Sequence, residues 1–134
     1  YVKKVQIEAR VMGDLAINHI IPIAIRYQNT LLENVKGLKE VIDPKTFTTI
    51  AKNQLQTIKN ISEHISQIKS LVDEMVEQRK IANALETIED QAEAYLNNVL
   101  PFFEQIRYHV DKLEMLVDDE LWPLPKYREL LFSR

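Results

Sequence analysis

Apolar residues in the first third of the chain recur at steps of three and four positions. This spacing places them on one face of an α-helix, which turns once every 3.6 residues. We therefore expect one long helix over residues 1–38. Pro22 lies inside this pattern, where it removes one backbone hydrogen bond and crowds the preceding turn, so a kink is expected near Ile17 to Ile21. The apolar face consists of Val5, Ala9, Met12, Ala16, Ile20, Ile23, Tyr27, Leu31, Val35 and Leu38.

The first helix is expected to end between Gly37 and Ile42, with Gly37 in the left-handed conformation that caps many helices. Asp43 followed by Pro44 is typical of an N-cap and a first helical residue, so a second helix is predicted over residues 44–82. Its apolar stripe is as regular as a coiled-coil seam, and neighbouring helices must cover such a seam. The seam consists of Ile58, Ile61, Ile65, Ile68, Val72, Met75, Arg79 and Ala82.

A third helix is predicted over residues 88–119, after a turn at residues 83–87. Acidic residues at its start suit the positive end of a helix dipole. Pro101 predicts a second kink. The apolar positions of this helix are Ala92, Tyr95, Val99, Phe102, Ile106, His109 or Val110, Leu113, and Leu116 or Val117.

Three long helices joined by short turns must run up, down and up, because a turn of about five residues cannot cross the length of such a helix. The predicted fold is all-α: an elongated antiparallel three-helix bundle of long, kinked helices, with a short helical turn at the carboxyl end. The chain has 134 residues and only two glycines, which favours one helical domain. Since it begins with Tyr1 and not Met, we interpret it as a fragment of a longer protein.

The last residues, 122–134, form an apolar tail that leaves the third helix at a corner. Pro123 disfavours helical backbone at Trp122, and Pro125 can begin a new short turn. The tail is too apolar for a loose terminus, so it is expected to pack on its own bundle or to anchor a neighbouring subunit. The candidate packing residues are Trp122, Leu124, Tyr127, Leu131 and Phe132.

Charge and composition exclude several classes of function. The net charge of -3 provides no positive field for a phosphate backbone, so no nucleic-acid partner is expected. The most apolar run, residues 15–25, is about half the roughly 20 residues that a membrane helix needs, so no membrane partner is expected. The absence of cysteine removes disulfides and thiolate chemistry and fits a cytoplasmic protein.

No motif for catalysis, cofactor binding or metal binding is present in the sequence. None of the three histidines has a second ligand at the spacing of an HExxH motif, and no glutamate precedes a histidine by three positions as in a di-metal bundle. There is no glycine-rich phosphate loop. We therefore assign no catalytic, cofactor-binding or metal-binding residue within this chain.

Two local patterns leave alternatives open. His109 with Lys112 one turn later is similar to a histidine phosphotransfer module, in which His109 would accept a phosphoryl group. Such modules usually place small residues and a glycine after the lysine, whereas Leu113 follows here. The acidic cluster Asp118, Asp119 and Glu120 lies where the helix dipole disfavours negative charge, so basic tail residues, solvent or a bound cation must compensate it.

Both outer helices and the tail carry a family resemblance. The stretches "EARVMGDLAINHIIPIAIRYQNTLLENVKGLKE" (residues 8–40) and "FFEQIRYHVDKLEMLVDDELWPLPKYRELLF" (residues 102–132) resemble the carboxyl-terminal helical region of type III glutamine synthetases. The resemblance implies a large cytoplasmic parent that joins ammonia to glutamate with ATP and a divalent metal, Mg²⁺. It also implies a dodecamer of two stacked hexameric rings.

The resemblance places the ligands for glutamate, ATP and metal upstream of this chain. The chain is therefore expected to be a non-catalytic structural or assembly domain that contacts the upstream catalytic domain and neighbouring subunits. The alternative is a free-standing helical interaction or phosphotransfer module.

Overall fold

Helices make up all of the regular structure in residues 1–117, which are the residues that this computed structural model describes. No strand occurs among them, and the all-α class predicted from the sequence is confirmed. None of the helices in this part of the chain is long and apolar enough to cross a membrane.

The first long helical stretch is continuous but not uniform. It comprises α1 (Val2–Leu15), a first π-helical segment (Ala16–Ile20) and α2 (Ile21–Val41). The amide of Ile21 donates to the carbonyl of Ala16, five residues back, immediately before Pro22. Pro22 has no amide for the carbonyl four residues back and its ring crowds that carbonyl, so a widened turn relieves the strain. The irregularity thus lies where the sequence predicted a kink.

The end of α2 differs from the sequence prediction at Gly37. This residue lies inside α2, and neither glycine has a positive φ, so Gly37 does not cap the helix. The helix ends instead where Ile42 becomes extended, at φ -103° and ψ 145°. A helix can end without a left-handed cap when the residue after it has an extended backbone. Here the extended Ile42 leads directly into Asp43, the N-cap of the next helix.

The predicted second helix is divided into two. Asp43 accepts a hydrogen bond from the amide of Thr46 at 3.0 Å and begins α3 (Pro44–Ile50), as the Asp-Pro pair predicted. Ala51 has φ -89° and ψ 0°, which interrupts the helix, and α4 (Lys52–Asn83) follows. The sequence prediction of one helix over residues 44–82 missed this break because Ala51 has high helix propensity.

The last helical stretch comprises α5 (Ile88–Ala94), a second π-helical segment (Tyr95–Val99) and α6 (Pro101–Leu116). Thr87 caps α5 by accepting a hydrogen bond from the amide of Asp90 at 3.1 Å. The amide of Leu100 donates to the carbonyl of Tyr95, so a π turn again immediately precedes a proline, Pro101. Val117 is extended, so α6 ends at Leu116 and not at residue 119 as predicted.

The core lies along α4, which packs against α6, α2 and α1. The predicted seam of α4 supplies its centre, and the apolar faces of the outer helices cover it. At about 25 cal/mol per Å² of apolar area, burying each large aliphatic side chain contributes roughly 1.5–3 kcal/mol. The buried residues of this cluster are Val5, Ala9, Ala16, Ile20, Ile23, Ala24, Ile61, Ile68, Leu71, Val72, Met75, Ala82, Tyr95, Val99, Phe103, Ile106, Leu113 and Val117.

A polar contact joins α2 to α4 beside this core. The side-chain amide of Gln28 donates to the backbone carbonyl of Ile58 at 2.9 Å and to the hydroxyl of Ser62 at 2.6 Å. Since these acceptors are one turn apart on α4, one side chain fixes the register of the two helices. The all-helical class is established by these elements, and the antiparallel three-helix bundle stays a prediction.

Candidate functional site

Two sets of candidate residues from the sequence lie outside the described residues. They are the acidic cluster of Asp118, Asp119 and Glu120, and the tail residues Trp122, Leu124, Tyr127, Leu131 and Phe132. Their assignments as a charged cluster and as packing residues stay predictions. The chemistry that the structure describes lies instead on the facing surfaces of α4 and α6.

A pair of histidines joins α4 to α6. The Nδ1 atoms of His64 and His109 lie 2.9 Å apart, and the ring centroids are 5.2 Å apart at an angle of 51°. When both rings are neutral, one Nδ1 donates its proton and the other accepts, so the two histidines must be opposite tautomers. The pair therefore holds one proton in the space between its two Nδ1 atoms.

Two further side chains of α6 surround His109. The ring of Tyr108 meets the ring of His109 edge-on, with centroids 5.0 Å apart at 87°. The ammonium of Lys112 lies 5.4 Å from the centre of the Tyr108 ring, within range of a cation–π interaction. Lys112 is thus positioned against an aromatic face, and it adds positive charge near the histidine pair.

Burial and charge both act on the pKa values of the pair. Burial lowers the pKa of His64; Glu63 opposes this shift, and Lys112 adds to it. Burial and the neighbouring His64 lower the pKa of His109. Both shifts favour neutral imidazoles at pH 7, and the Nδ1 contact requires that at least one ring is neutral, because one of the two nitrogen atoms must accept.

The geometry does not favour His109 as a phosphoryl acceptor. Its ring is half-buried between α4 and α6, and its Nδ1 already faces His64. A phosphotransfer histidine must be open to a partner protein, and Lys112 would have to reach the phosphoryl group rather than the Tyr108 ring. The predicted alternative of a phosphotransfer module is therefore not favoured.

Metal binding has no support from ligand clusters in residues 1–117. Within that range no three His, Cys, Asp or Glu side chains are grouped so that they could hold a metal ion. The histidine pair offers only two nitrogen atoms, whereas a structural zinc site uses four protein ligands.

A second polar contact lies at the end of the molecule where α1 begins. Asn83, the last residue of α4, accepts one hydrogen bond from the side-chain amide of Gln6 at 2.7 Å and another from the hydroxyl of Tyr95. Tyr95 is fully buried, so this bond satisfies a hydroxyl that would otherwise be costly to bury. One amide therefore connects α1, α4 and the second π-helical segment.

Three polar features of the structure were not predicted from the sequence. His64 was not connected to His109, Asn83 was assigned only to a turn, and the carboxyl of Glu114 was not expected to be buried, although it is 1% exposed. The position of His64, three residues after Ile61 and four before Ile68 of the predicted seam, was the available signal. It could indicate an inward-facing histidine but not which residue of another helix would meet it.

A shallow groove of about 300 Å³ lies between α1 and α4. Its wall includes Gly13, with Arg10 and Arg79 on either helix. A methyl group placed on Gly13 would meet Val72 Cγ1 at 3.6 Å and Met75 Cε at 3.9 Å, which are ordinary contact distances. The glycine therefore leaves a gap in the packing rather than permitting a close approach.

Comparison with known proteins identifies the type of chain that carries these features. A family model described as "Glutamine synthetase C-terminal domain" matches residues 1–39. A glutamine synthetase of Bacteroides fragilis is 53% identical over 134 residues, which is all of this chain. The predicted resemblance to the C-terminal domain of glutamine synthetases is confirmed. A type-3 glutamine synthetase of Dictyostelium discoideum is also similar, with 28% identity over 141 aligned residues that again include the whole chain.

These glutamine synthetases are much longer than the chain. The alignment covers 18% of the length of the Bacteroides fragilis protein and 18% of the Dictyostelium discoideum protein. The similarity to glutamine synthetases therefore concerns one terminal region.

Proposed function

We propose that this chain is a non-catalytic C-terminal assembly domain of a glutamine synthetase. The observation that carries the proposal is the 53% identity to the Bacteroides fragilis glutamine synthetase across all 134 residues, although these residues span only 18% of that protein. Identity at this level along a whole helical region is expected when the region performs the same structural task. The parent enzyme would join ammonia to glutamate in the cytoplasm.

The proposal locates the chemistry outside this chain. The parent would use ATP and Mg²⁺, and we assign their site, together with the glutamate site, to the preceding catalytic domain. The polar contacts of the described residues support this division, because the histidine pair and Asn83 connect helices to one another. Such contacts stabilise a scaffold.

An antiparallel three-helix bundle is the architecture that we propose for this task. Two contacts of the first stretch with α4 support opposite directions, since Gln6 meets Asn83 and Gln28 meets Ile58. The contacts between α4 and the last stretch have the same reversed order. There Asn83 meets Tyr95, and His64 meets His109. Such a bundle would be a stiff arm that attaches to the catalytic domain and to neighbouring subunits of a homo-oligomer, a dodecamer by resemblance.

The first test is an assay of the isolated 134-residue chain for glutamine formation from glutamate, ammonia and ATP in the presence of Mg²⁺. We expect no turnover, because the proposal assigns every substrate ligand to the preceding domain. Turnover that co-purifies with the isolated chain would refute the non-catalytic assignment.

The assembly role requires a separate test in the full-length enzyme. Deletion of these 134 residues is expected to lower the oligomer mass, measured by light scattering after gel filtration, and to lower activity with it. A truncated enzyme that assembles and turns over like the full-length protein would refute the assembly role. Gly37→Ala in the full-length enzyme is the control for production and purification of an altered protein, because a methyl group at position 37 would meet no atom within 4 Å.

A further inference from the structure

The turn between α4 and α5 exposes an unusual number of large aliphatic side chains. Ile81 is 51% exposed, Leu85 is 36% exposed and Ile88 is 77% exposed, all within eight consecutive residues. Polar residues would be the ordinary choice at a helix end and turn, because exposed aliphatic surface has no favourable interaction with water. Ile7, 54% exposed on α1, lies at the same end of the molecule. We call these four residues the turn patch.

The backbone that carries the turn patch is fixed by hydrogen bonds. The hydroxyl of Thr87 accepts from the amide of Asp90 at 3.1 Å, and the side-chain amide of Gln91 donates to the carbonyl of Leu85 at 2.9 Å. The amide of Ala84 donates to the carbonyl of Lys80 at 3.2 Å. A surface held in place in this way loses little conformational freedom on binding, which favours its use as an interface.

The beginning of α1 lies beside the turn patch. The hydrogen bond from Gln6 to Asn83 at 2.7 Å attaches the first turns of α1 to the last residue of α4. Tyr1 is at most about 8 Å from Gln6 along the helix axis at 1.5 Å rise per residue. Any sequence that precedes Tyr1 therefore joins the domain at the end that carries the turn patch.

The proposed function supplies the sequence that precedes Tyr1, and this inference depends on it. The matching family model describes a C-terminal domain, and the chain spans 18% of the length of each relative. In a protein built in this way, the catalytic domain is joined to this chain at the end that carries the turn patch. Acidic residues within the same turn and the first helical turn after it, Glu86, Glu89 and Asp90, are all exposed.

We propose that the turn patch docks against the part of the same polypeptide that precedes Tyr1. The partner surface would be apolar at its centre, to cover Ile81, Leu85 and Ile88, and basic at its edge, to face the acidic residues. An apolar centre with a polar rim is the usual composition of a stable protein interface. The contact would convert a flexible junction at Tyr1 into a rigid one.

The test is photo-cross-linking in the full-length enzyme, with benzoylphenylalanine in place of Ile88. Val41 provides the matched control position, because it is 81% exposed and also lies at a helix end. It is about 60 Å from the start of α1 at 1.5 Å rise per residue. Cross-links from position 88 to peptides that precede Tyr1, at several times the yield from position 41, are expected. Cross-links from position 88 that are confined to residues 1–134, or equal yields from both positions, would overturn the proposal.

A second variant separates this inference from the proposed function. Ile88→Gln in the full-length enzyme is expected to lower the melting temperature by more than Val41→Gln does, and the neutral glutamine avoids the opposite effects of the helix dipole on a charge at the two positions. Both side chains are exposed, so neither change removes core packing within the domain. If the two variants melt alike while deletion of the 134 residues still abolishes assembly, the docking surface is wrong and the assembly role stands. If the deletion has no effect on assembly, the proposed function itself fails.

Discussion

Lowering the pH should weaken the contact between α4 and α6 through the histidine pair. The pKa values of His64 and His109 in the folded chain both lie below their ordinary value of 6.5. The unfolded chain therefore takes up protons before the folded chain does as the pH falls. The stability associated with the pair is complete above pH 6.5 and is lost below it. Glu63, which raises the pKa of His64, opposes the loss, and Lys112 promotes it.

The size of the effect follows from the geometry of the pair. With both rings protonated, neither Nδ1 can accept, so a neutral hydrogen bond of about 1 kcal/mol is lost. Two charges at ring centroids 5.2 Å apart repel by about 0.8 kcal/mol in a water-like dielectric. The free energy of unfolding should therefore fall by about 2 kcal/mol once both rings are charged. Carboxyl groups with ordinary pKa values near 4 contribute little between pH 7.5 and 5.5.

Urea unfolding of the 134-residue chain, followed by circular dichroism at pH 7.5, 6.5 and 5.5, measures this change. The double variant His64→Gln/His109→Gln should be less stable at pH 7.5 but nearly independent of pH over this range. His19→Gln, which leaves the pair intact, is the control for replacing a histidine by glutamine. Equal stability of the wild-type chain at all three pH values, or an unchanged slope in the double variant, would refute the reasoning.

Three further predictions concern stability and use the same urea unfolding measurement at pH 7.5. Gly13→Ala should stabilise the chain by about 1 kcal/mol, because alanine favours helix and the groove accepts a methyl group. Gly37→Ala is the control, because it changes helix propensity without adding a contact. Destabilisation at position 13 only would show that the groove is tighter than described. Ile68→Ala should destabilise by about 2–5 kcal/mol through a cavity in the centre of α4, whereas Ile25→Ala, at a 42% exposed position, should cost well under half as much. Thr87→Ala should destabilise by about 1 kcal/mol through loss of the α5 cap, and an unchanged midpoint would mean that the cap is replaced by water.

Features that depend on one helix alone could be predicted from the sequence. The alternating spacing from Ile61 to Met75 identified the buried face of α4, because burial of one face requires that period. Pro22 and Pro101 marked the two π-helical segments of residues 1–117, since proline has no amide to donate. The Asp-Pro pair located the start of α3.

Features that depend on two helices could not be predicted in this way. The contact of His64 with His109 requires the axial register of α4 against α6, and periodicity specifies a face but no partner. The break at Ala51 carries only a weak local signal: alanine is the strongest helix former, and the three β-branched residues before it, Thr48, Thr49 and Ile50, lower helix propensity only slightly. The candidate tail and acidic cluster lie beyond residue 117, so their roles stay predictions.

The two π-helical segments have a consequence for how related genes can change length. Each π turn accommodates one residue more than the α-helix would, and one residue corresponds to a rotation of about 100°. Because the wider turn absorbs the extra residue, the core-facing side of α2 stays in phase with that of α1. Deleting a single residue from Ala16–Ile20 would therefore allow an ordinary α-helix whose faces keep their directions. The same holds for Tyr95–Val99 and α6. Single-codon deletions in these two stretches should therefore be less harmful than in the uninterrupted α4, where the loss of one residue would rotate everything after it by about 100°.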